Sequence, residues 1–216
     1  MEKREFTKLK DQRLVKRGNK ILEDLFHRSV HSIRQLTTTE ADAKGCYRFL
    51  QNSRVTEEAI LANMVDNCRA ACRGKFVLCL QDTTEINLSS HSRRIHKDPY
   101  IGTTNAKGEQ GLGFFVHPSL VVDARTGVPY GYSGVKIWNR PLAFRSKHQR
   151  QYNSLPIEQK ESYKWIEVSR NTQTALGDVV EGMLIVADRE GDMYEQFAAI
   201  PDVRTDLLIR CSTKRG

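Results

Sequence analysis

The sequence predicts an α/β (α+β) fold, with a small all-helical unit over residues 1–74 and a mixed sheet flanked by helices over residues 75–216. Three observations carry this. Before residue 74 the apolar residues recur at spacings of three and four, the period of an amphipathic helix. From Lys75 onward they gather into short continuous runs that end on acid, "KFVLCLQD" and "LIVAD", as buried strands do. These runs alternate with two helical stretches, giving the order strand, strand, strand, helix, strand, helix, strand.

Leu14, Ile21, Leu22, Leu25, Phe26, Val30 and Ile33 line one face of a first helix, and Arg13, Lys16, Arg17, Lys20 and Arg28 occupy much of the remainder. In "TTTEADAKGCYRFLQN", Thr37 and Glu40 have capping-box spacing, and a short helix follows through Tyr47, Phe49 and Leu50. A third helix starts from Thr56 as N-cap, carries Glu57 and Glu58 in its first turn, and stops at Gly74. In the second part the run at 76–80 stops at Asp82. "GLGFFVHPSLVVDARTGVPYGYSGVKIWNRP" reads as strand, Asp-Ala-Arg-Thr-Gly turn and strand. Trp165, Ile166, Val168 and Leu176 suit a helix, the run at 184–187 stops at Asp188, a short helix surrounds "MYEQFAAI", and "VRTDLLIRCS" is a last strand.

Composition narrows the function classes. Of 216 residues, 39% are hydrophobic and 28% charged, ordinary for a soluble globular chain. No stretch reaches the roughly 18 apolar residues of a membrane span, and the basic start lacks an apolar signal core, so no membrane partner is expected and the cytosol is the expected location. Cys46, Cys68, Cys72, Cys79 and Cys211 form no Cys-x-x-Cys pair and are expected to be reduced, largely buried thiols. Residues 1–75 hold 16 Lys+Arg against 10 Asp+Glu, whereas residues 76–216 hold 18 against 16. The basic excess therefore sits in the helical part, which is either a polyanion-binding module or a solvated basic surface.

The two strands that end in acid point to chemistry. A helical crossover favours a parallel partner in the same sheet. If the strands ending at Asp82 and Asp188 are neighbours, both carboxylates leave the same edge, separated by roughly 4.8 Å between strands. Two anions that close repel unless a cation lies between them. Mg²⁺, with Mn²⁺ as a substitute, takes one or two carboxylates and leaves room for water and phosphate oxygens.

The segments "LKDQRLVKR", "GCYRFLQNSRVTEEAI", "LQDTTEINLSSH", "GLGFFVHPSLVV", "EQKESYKW", "VADREGDMYE" and "LLIRCSTKR" occur in an order and at spacings that resemble the DDE transposases of the transposon-Tn-five type, the insertion-sequence-four family, over almost the full length. The resemblance implies an RNase H-like catalytic domain behind a helical domain that grips transposon ends. It implies Asp82 and Asp188 as the first two members of an Asp-Asp-Glu metal triad, double-stranded DNA as partner, both transposon end and target, and a full-length form that dimerises on DNA in a synaptic complex. The family's reactions are in-line phosphoryl transfers at transposon ends, with no covalent protein nucleophile. By motif position Arg13, Arg17 and Arg48 match DNA-contacting arginines of the helical domain, and Arg210 and Lys214 match a basic stretch near the metals. Arg189 and Glu190 belong to the Asp-Arg-Glu motif, and a surface salt bridge accounts for them equally well. Lys136, Arg140, Arg145, Lys147 and Arg150 form a second basic patch, which either binds DNA or is a solvated loop.

Other signals carry less. "GEQGLG" lacks the spacing and the Lys-Ser/Thr of a phosphate-binding loop, so no nucleotide cofactor is expected. His91 and His96 have no third ligand nearby in the sequence, and Ser89 and Ser90 beside His91 do not make a triad.

The family's third acid, a Glu in a Tyr, Arg, Glu, Lys signature on a late helix, has no counterpart before Gly216; Glu190 and Glu195 sit in the wrong segment. The expectation is a chain truncated before that residue, lacking the final catalytic helix, inactive, with one face of its sheet partly exposed. Two functional readings stay open: a cut-and-paste transposase by family, or a non-catalytic DNA-binding repressor that occupies transposon ends.

Overall fold

The computed structural model describes residues 6–28, 30, 32–95, 100–104, 111–142 and 151–211. The chain divides into two compact units, Met1–Ala71 and Cys72–Gly216.

The first unit holds α1 (Gln12–Arg28), α2 (Ile33–Leu36), α3 (Glu40–Leu50) and α4 (Glu57–Ala71). Its core is Phe6, Leu9 and Phe49, with Leu14, Val15, Ile21, Leu22, Val55, Ala59 and Ile60 packed around them. Phe6 meets Phe49 edge-on at 6.0 Å. Gly18, on the buried side of α1, makes room for this pair: a Cβ there would lie 2.6 Å from the Phe6 ring. Asn63 ties the incoming chain to α4 by accepting from the Thr7 N–H at 2.7 Å.

Two boundaries differ from the sequence reading. The first helix stops at Arg28, and Ile33 opens the separate helix α2, where the Ser32 hydroxyl caps the Gln35 N–H. The cap of α3 is Thr39, which accepts from the Asp42 N–H; the Thr37 hydroxyl instead donates back to the Ile33 carbonyl at 3.0 Å. Thr56 does cap α4, accepting from the Ala59 N–H at 3.2 Å, and Gly74 takes the left-handed conformation beyond its end.

The second unit contains β1 (Phe76–Gln81), β2 (Thr84–Asn87), α5 (Ser92–Ile95), β3 (Gly102–Thr103), β4 (Leu112–Asp123), β5 (Pro129–Trp138), α6 (Tyr163–Leu176), β6 (Gly182–Ala187), α7 (Tyr194–Ala199) and β7 (Thr205–Ile209). β4 pairs antiparallel with β1 and β2 along one edge and with β5 and β3 along the other. β6 lies parallel to β1, and β7 parallel to β6. The order across the sheet is therefore β5-β4-β1-β6-β7, with β4 alone reversed. The short strands β2 and β3 and the helix α5 were not read from the sequence.

Asp123 organises the β4–β5 turn, accepting from the Arg125 and Thr126 N–H groups at 2.9 and 2.8 Å and from the Tyr130 hydroxyl at 2.6 Å. The Tyr130 hydroxyl, then these N–H groups, hold its carboxyl below the usual range. Gly127 supplies the positive φ the turn requires.

α6 covers one face. Trp165, Ile166, Val168, Ser169, Thr172 and Leu176 are buried on the helix, and Val77, Cys79, Gln81, Val121, Met183, Ile185 and Ala187 are buried on the strands. Several polar groups in this layer are paired: Gln81 Nε2 donates to Ser169 Oγ at 3.0 Å, and Ser133 Oγ bonds Ser119 Oγ and Thr172 Oγ1 at 3.0 and 2.9 Å, while Gln81 Oε1 and Trp165 Nε1 are buried without a hydrogen bond. Residues of opposite parity are less covered, with Phe76 44% and Leu208 57% exposed. Among the described residues no helix follows β7. Cys46, Cys68, Cys72 and Cys79 are buried, and Cys211 is exposed.

Candidate functional site

The pairing of β1 with β6 sets the site. Cys79 pairs with Ile185 and Leu80 with Val186. Two residues beyond this last pair, each just past the end of its strand, stand Asp82 and Asp188, so the parallel register carries both to the same carboxyl edge of the sheet. Both strands end there because the next residues turn. Asp82 Oδ1 accepts from the Thr83 N–H at 2.7 Å, and Asp188 Oδ1 accepts from the Glu190 N–H at 3.0 Å, capping the 3-10 turn Arg189–Gly191.

Asp188 Oδ2 is paired with Arg210, 3.1 Å away just beyond β7. Arg210 thus sits beside Asp188, and Lys214 lies outside the described residues. Two carboxylates on neighbouring strand ends are a hard, anionic donor set that suits a divalent cation of the Mg²⁺ class. Among the described residues no three His, Cys, Asp or Glu side chains come together as a metal site. His91 is exposed in a 3-10 turn, and His96 is outside the described residues.

Behind this edge lies a cleft of about 540 Å³, lined by Thr83, Phe115, Trp138, Lys164, Trp165 and Glu190 among others. Phe115 stacks on Trp138 at 5.2 Å, and the Arg140 guanidinium lies 4.5 Å above the Phe115 ring. Arg140 also holds Glu161 in a two-pronged pair at 2.6 and 2.7 Å, and Lys136 pairs with Glu167. Two members of the second basic patch are therefore committed to carboxylates within this unit, whereas Arg145, Lys147 and Arg150 lie outside the described residues.

Glu190 pairs with Lys164 at 3.0 Å, a contact the sequence reading missed. His117 is fully buried, with Nδ1 2.9 Å from the Thr83 hydroxyl. Burial first, then the positive charge of Lys164, push its pKa down to about 3, against a hydrogen bond to the Asp82 backbone, so the ring is neutral.

In the helical unit, Arg13 and Arg48 are exposed on α1 and α3. Arg17 is half-buried: its guanidinium packs over Gly45 and lies 3.5 Å from Asp42. It braces α1 on α3 as well as adding positive charge.

A family model for transposase DNA-binding domains matches residues 3–55, the stretch that carries α1, α2 and α3. The match supports a transposase, with a transposase-type DNA-binding role for this region and DNA as its partner. No described helix is long and apolar enough to cross a membrane.

Proposed function

We propose that the chain belongs to the DNA-recombining machinery of a DDE transposase of the transposon-Tn-five type, with the helical unit on a transposon end and the second unit as an RNase H-like domain. The observation that carries this reading is the register-matched pair Asp82 and Asp188 in a chain whose first quarter matches a transposase DNA-binding model. The sheet order β5-β4-β1-β6-β7, with its one reversed strand, supports the RNase H-like reading.

In this account Asp82 and Asp188 would hold Mg²⁺, or Mn²⁺ in its place, which when bound would lower the pKa of a water and offset negative charge on a phosphodiester. Arg13, Arg17 and Arg48 neutralise phosphates of the transposon end. Arg210 and Lys214 hold the strand beside the carboxylates, and two such complexes dimerise on DNA. The cytosol, where DNA and Mg²⁺ are both available, is the proposed location.

A second reading, a DNA-binding repressor of transposition without catalysis, is favoured by one observation: the family match falls on the DNA-binding region, residues 3–55. A single experiment separates the two. A labelled duplex carrying the inverted repeat that flanks the gene is incubated with Mn²⁺ and either the chain or its Asp188→Ala variant. Retardation with nicking that Asp188→Ala abolishes supports the transposase as an enzyme; retardation without nicking supports the repressor. Failure of the chain to retard the duplex in preference to a scrambled one overturns both.

A further inference from the structure

The two carboxylate-bearing turns are braced from one point, the first turn of α6. Lys164 is 8% exposed, yet its ammonium reaches Glu190, two residues after Asp188. On the way it lies 5.5 Å from the ring centre of Trp138 and 5.7 Å from that of Trp165. Trp165, the next residue, is 1% exposed. Its indole meets the His117 ring in a T-shaped contact, ring centres 4.4 Å apart, and His117 Nδ1 lies 2.9 Å from the hydroxyl of Thr83, the residue after Asp82. Gly191 closes the other turn against the same indole: a Cβ there would lie 3.4 Å from Trp165 Cδ2 and 3.0 Å from Ala187 Cβ.

Burying an ammonium is costly, and an apolar side chain of similar size would serve packing alone as well or better. A second role for the cleft, as a phosphate site, is disfavoured because its cations Lys164 and Arg140 already face Glu190 and Glu161. The feature that Lys164 and His117 share is what they reach: one turn each, directly behind one carboxylate each. We propose that Lys164, acting through Glu190, and His117, acting through Thr83, are positioning residues that fix the separation of Asp82 and Asp188 so that the pair binds divalent cations. The proposal rests on the metal reading above.

The chain contains two tryptophans, Trp138 and Trp165, and both line the cleft behind the carboxylates. Tb³⁺, an oxygen-seeking cation that luminesces when a nearby indole is excited, therefore reports binding at this edge without any DNA or catalysis. Its dissociation constant would be measured for the wild-type chain, Lys164→Met, Lys164→Arg, Glu190→Gln, His117→Phe and Asp188→Asn, with a thermal melt of each. Dissociation constants rather than intensities are compared, because Lys164 itself touches both indoles.

Lys164→Met and Glu190→Gln are expected to weaken Tb³⁺ binding about 10-fold or more, the effect usual for groups that orient metal ligands, with Lys164→Arg recovering most of it. Glu190 has a side chain 67% exposed, so its variant carries the test if Lys164→Met does not fold. Unchanged affinity in folded Lys164→Met or Glu190→Gln, with Asp188→Asn abolishing binding, overturns the brace and leaves the metal reading standing. Tb³⁺ binding that is absent, or indifferent to Asp188→Asn, overturns both.

Discussion

Asp82 and Asp188 each stand two residues beyond a paired position, Leu80 opposite Val186, on neighbouring parallel strands. Backbone hydrogen bonding thus sets their proximity, and the turns behind them set their direction. A slip of one residue in this register would move every side chain of one strand to the other face, so the buried set Val77, Cys79, Met183 and Ile185 also guards the alignment of the acids. A core substitution in β1 or β6 that shifts register is expected to act on the site without touching it.

Arg210 is paired with Asp188 in an exposed setting, where such a contact is worth about 0–1 kcal/mol. Arg210→Ala is therefore expected to leave the thermal melt nearly unchanged. If this arginine contacts a DNA phosphate, the variant lowers the salt dependence of DNA binding by about one unit of slope. A large fall in melting temperature, or an unaltered salt slope, would contradict the assignment.

Gly18 offers a test of sign. Helix propensity alone makes Gly18→Ala stabilising by about 1 kcal/mol. The added methyl group, 2.6 Å from the Phe6 ring and 3.1 Å from Phe49, overpacks the helical unit at a cost of about 1–3 kcal/mol. Chemical denaturation followed by circular dichroism should show net destabilisation, together with weaker DNA binding as α1 and α3 separate.

His117 links stability to pH. Its folded pKa of about 3 lies below the ordinary histidine value of 6.5, so the unfolded chain takes up a proton that the folded chain refuses. The contribution is complete above about pH 6.5 and is lost as pH falls toward 3. Over that window wild-type stability should fall more steeply than that of His117→Gln, the difference approaching about 1.4 kcal/mol per pH unit. Equal slopes in a urea titration at several pH values would show that His117 is protonated in the folded chain.

Much of the second unit was legible because buried parallel strands announce themselves as apolar runs, and because both runs ended in acid. The parallel pairing of the two strands that end in acid followed from one crossover argument. Elements that depend on distant pairing were not legible: β2 is the polar tetrapeptide Thr84–Asn87, a strand only because β4 offers it an edge. The break between α1 and α2 carried a signal that apolar periodicity overrode, namely Ser32 three residues before Gln35. Three consecutive threonines hid which one caps α3, since Thr37 and Thr39 both precede an acid at capping distance. The Lys164–Glu190 contact spans 26 positions in sequence and left one trace, a lysine in a helix whose neighbours Trp165 and Ile166 are buried.

The account turns on a divalent cation held by Asp82 and Asp188 against DNA, and localised cleavage by iron tests this without requiring a third catalytic acid. Fe²⁺ replaces Mg²⁺ on the chain bound to a labelled duplex bearing the inverted repeat, and ascorbate with peroxide then generates hydroxyl radical at the metal. The account predicts cuts confined to a few neighbouring nucleotides, lost in Asp82→Asn and Asp188→Asn variants that still retard the duplex. Cutting spread evenly along the DNA, or localised cutting that survives both substitutions, would contradict it.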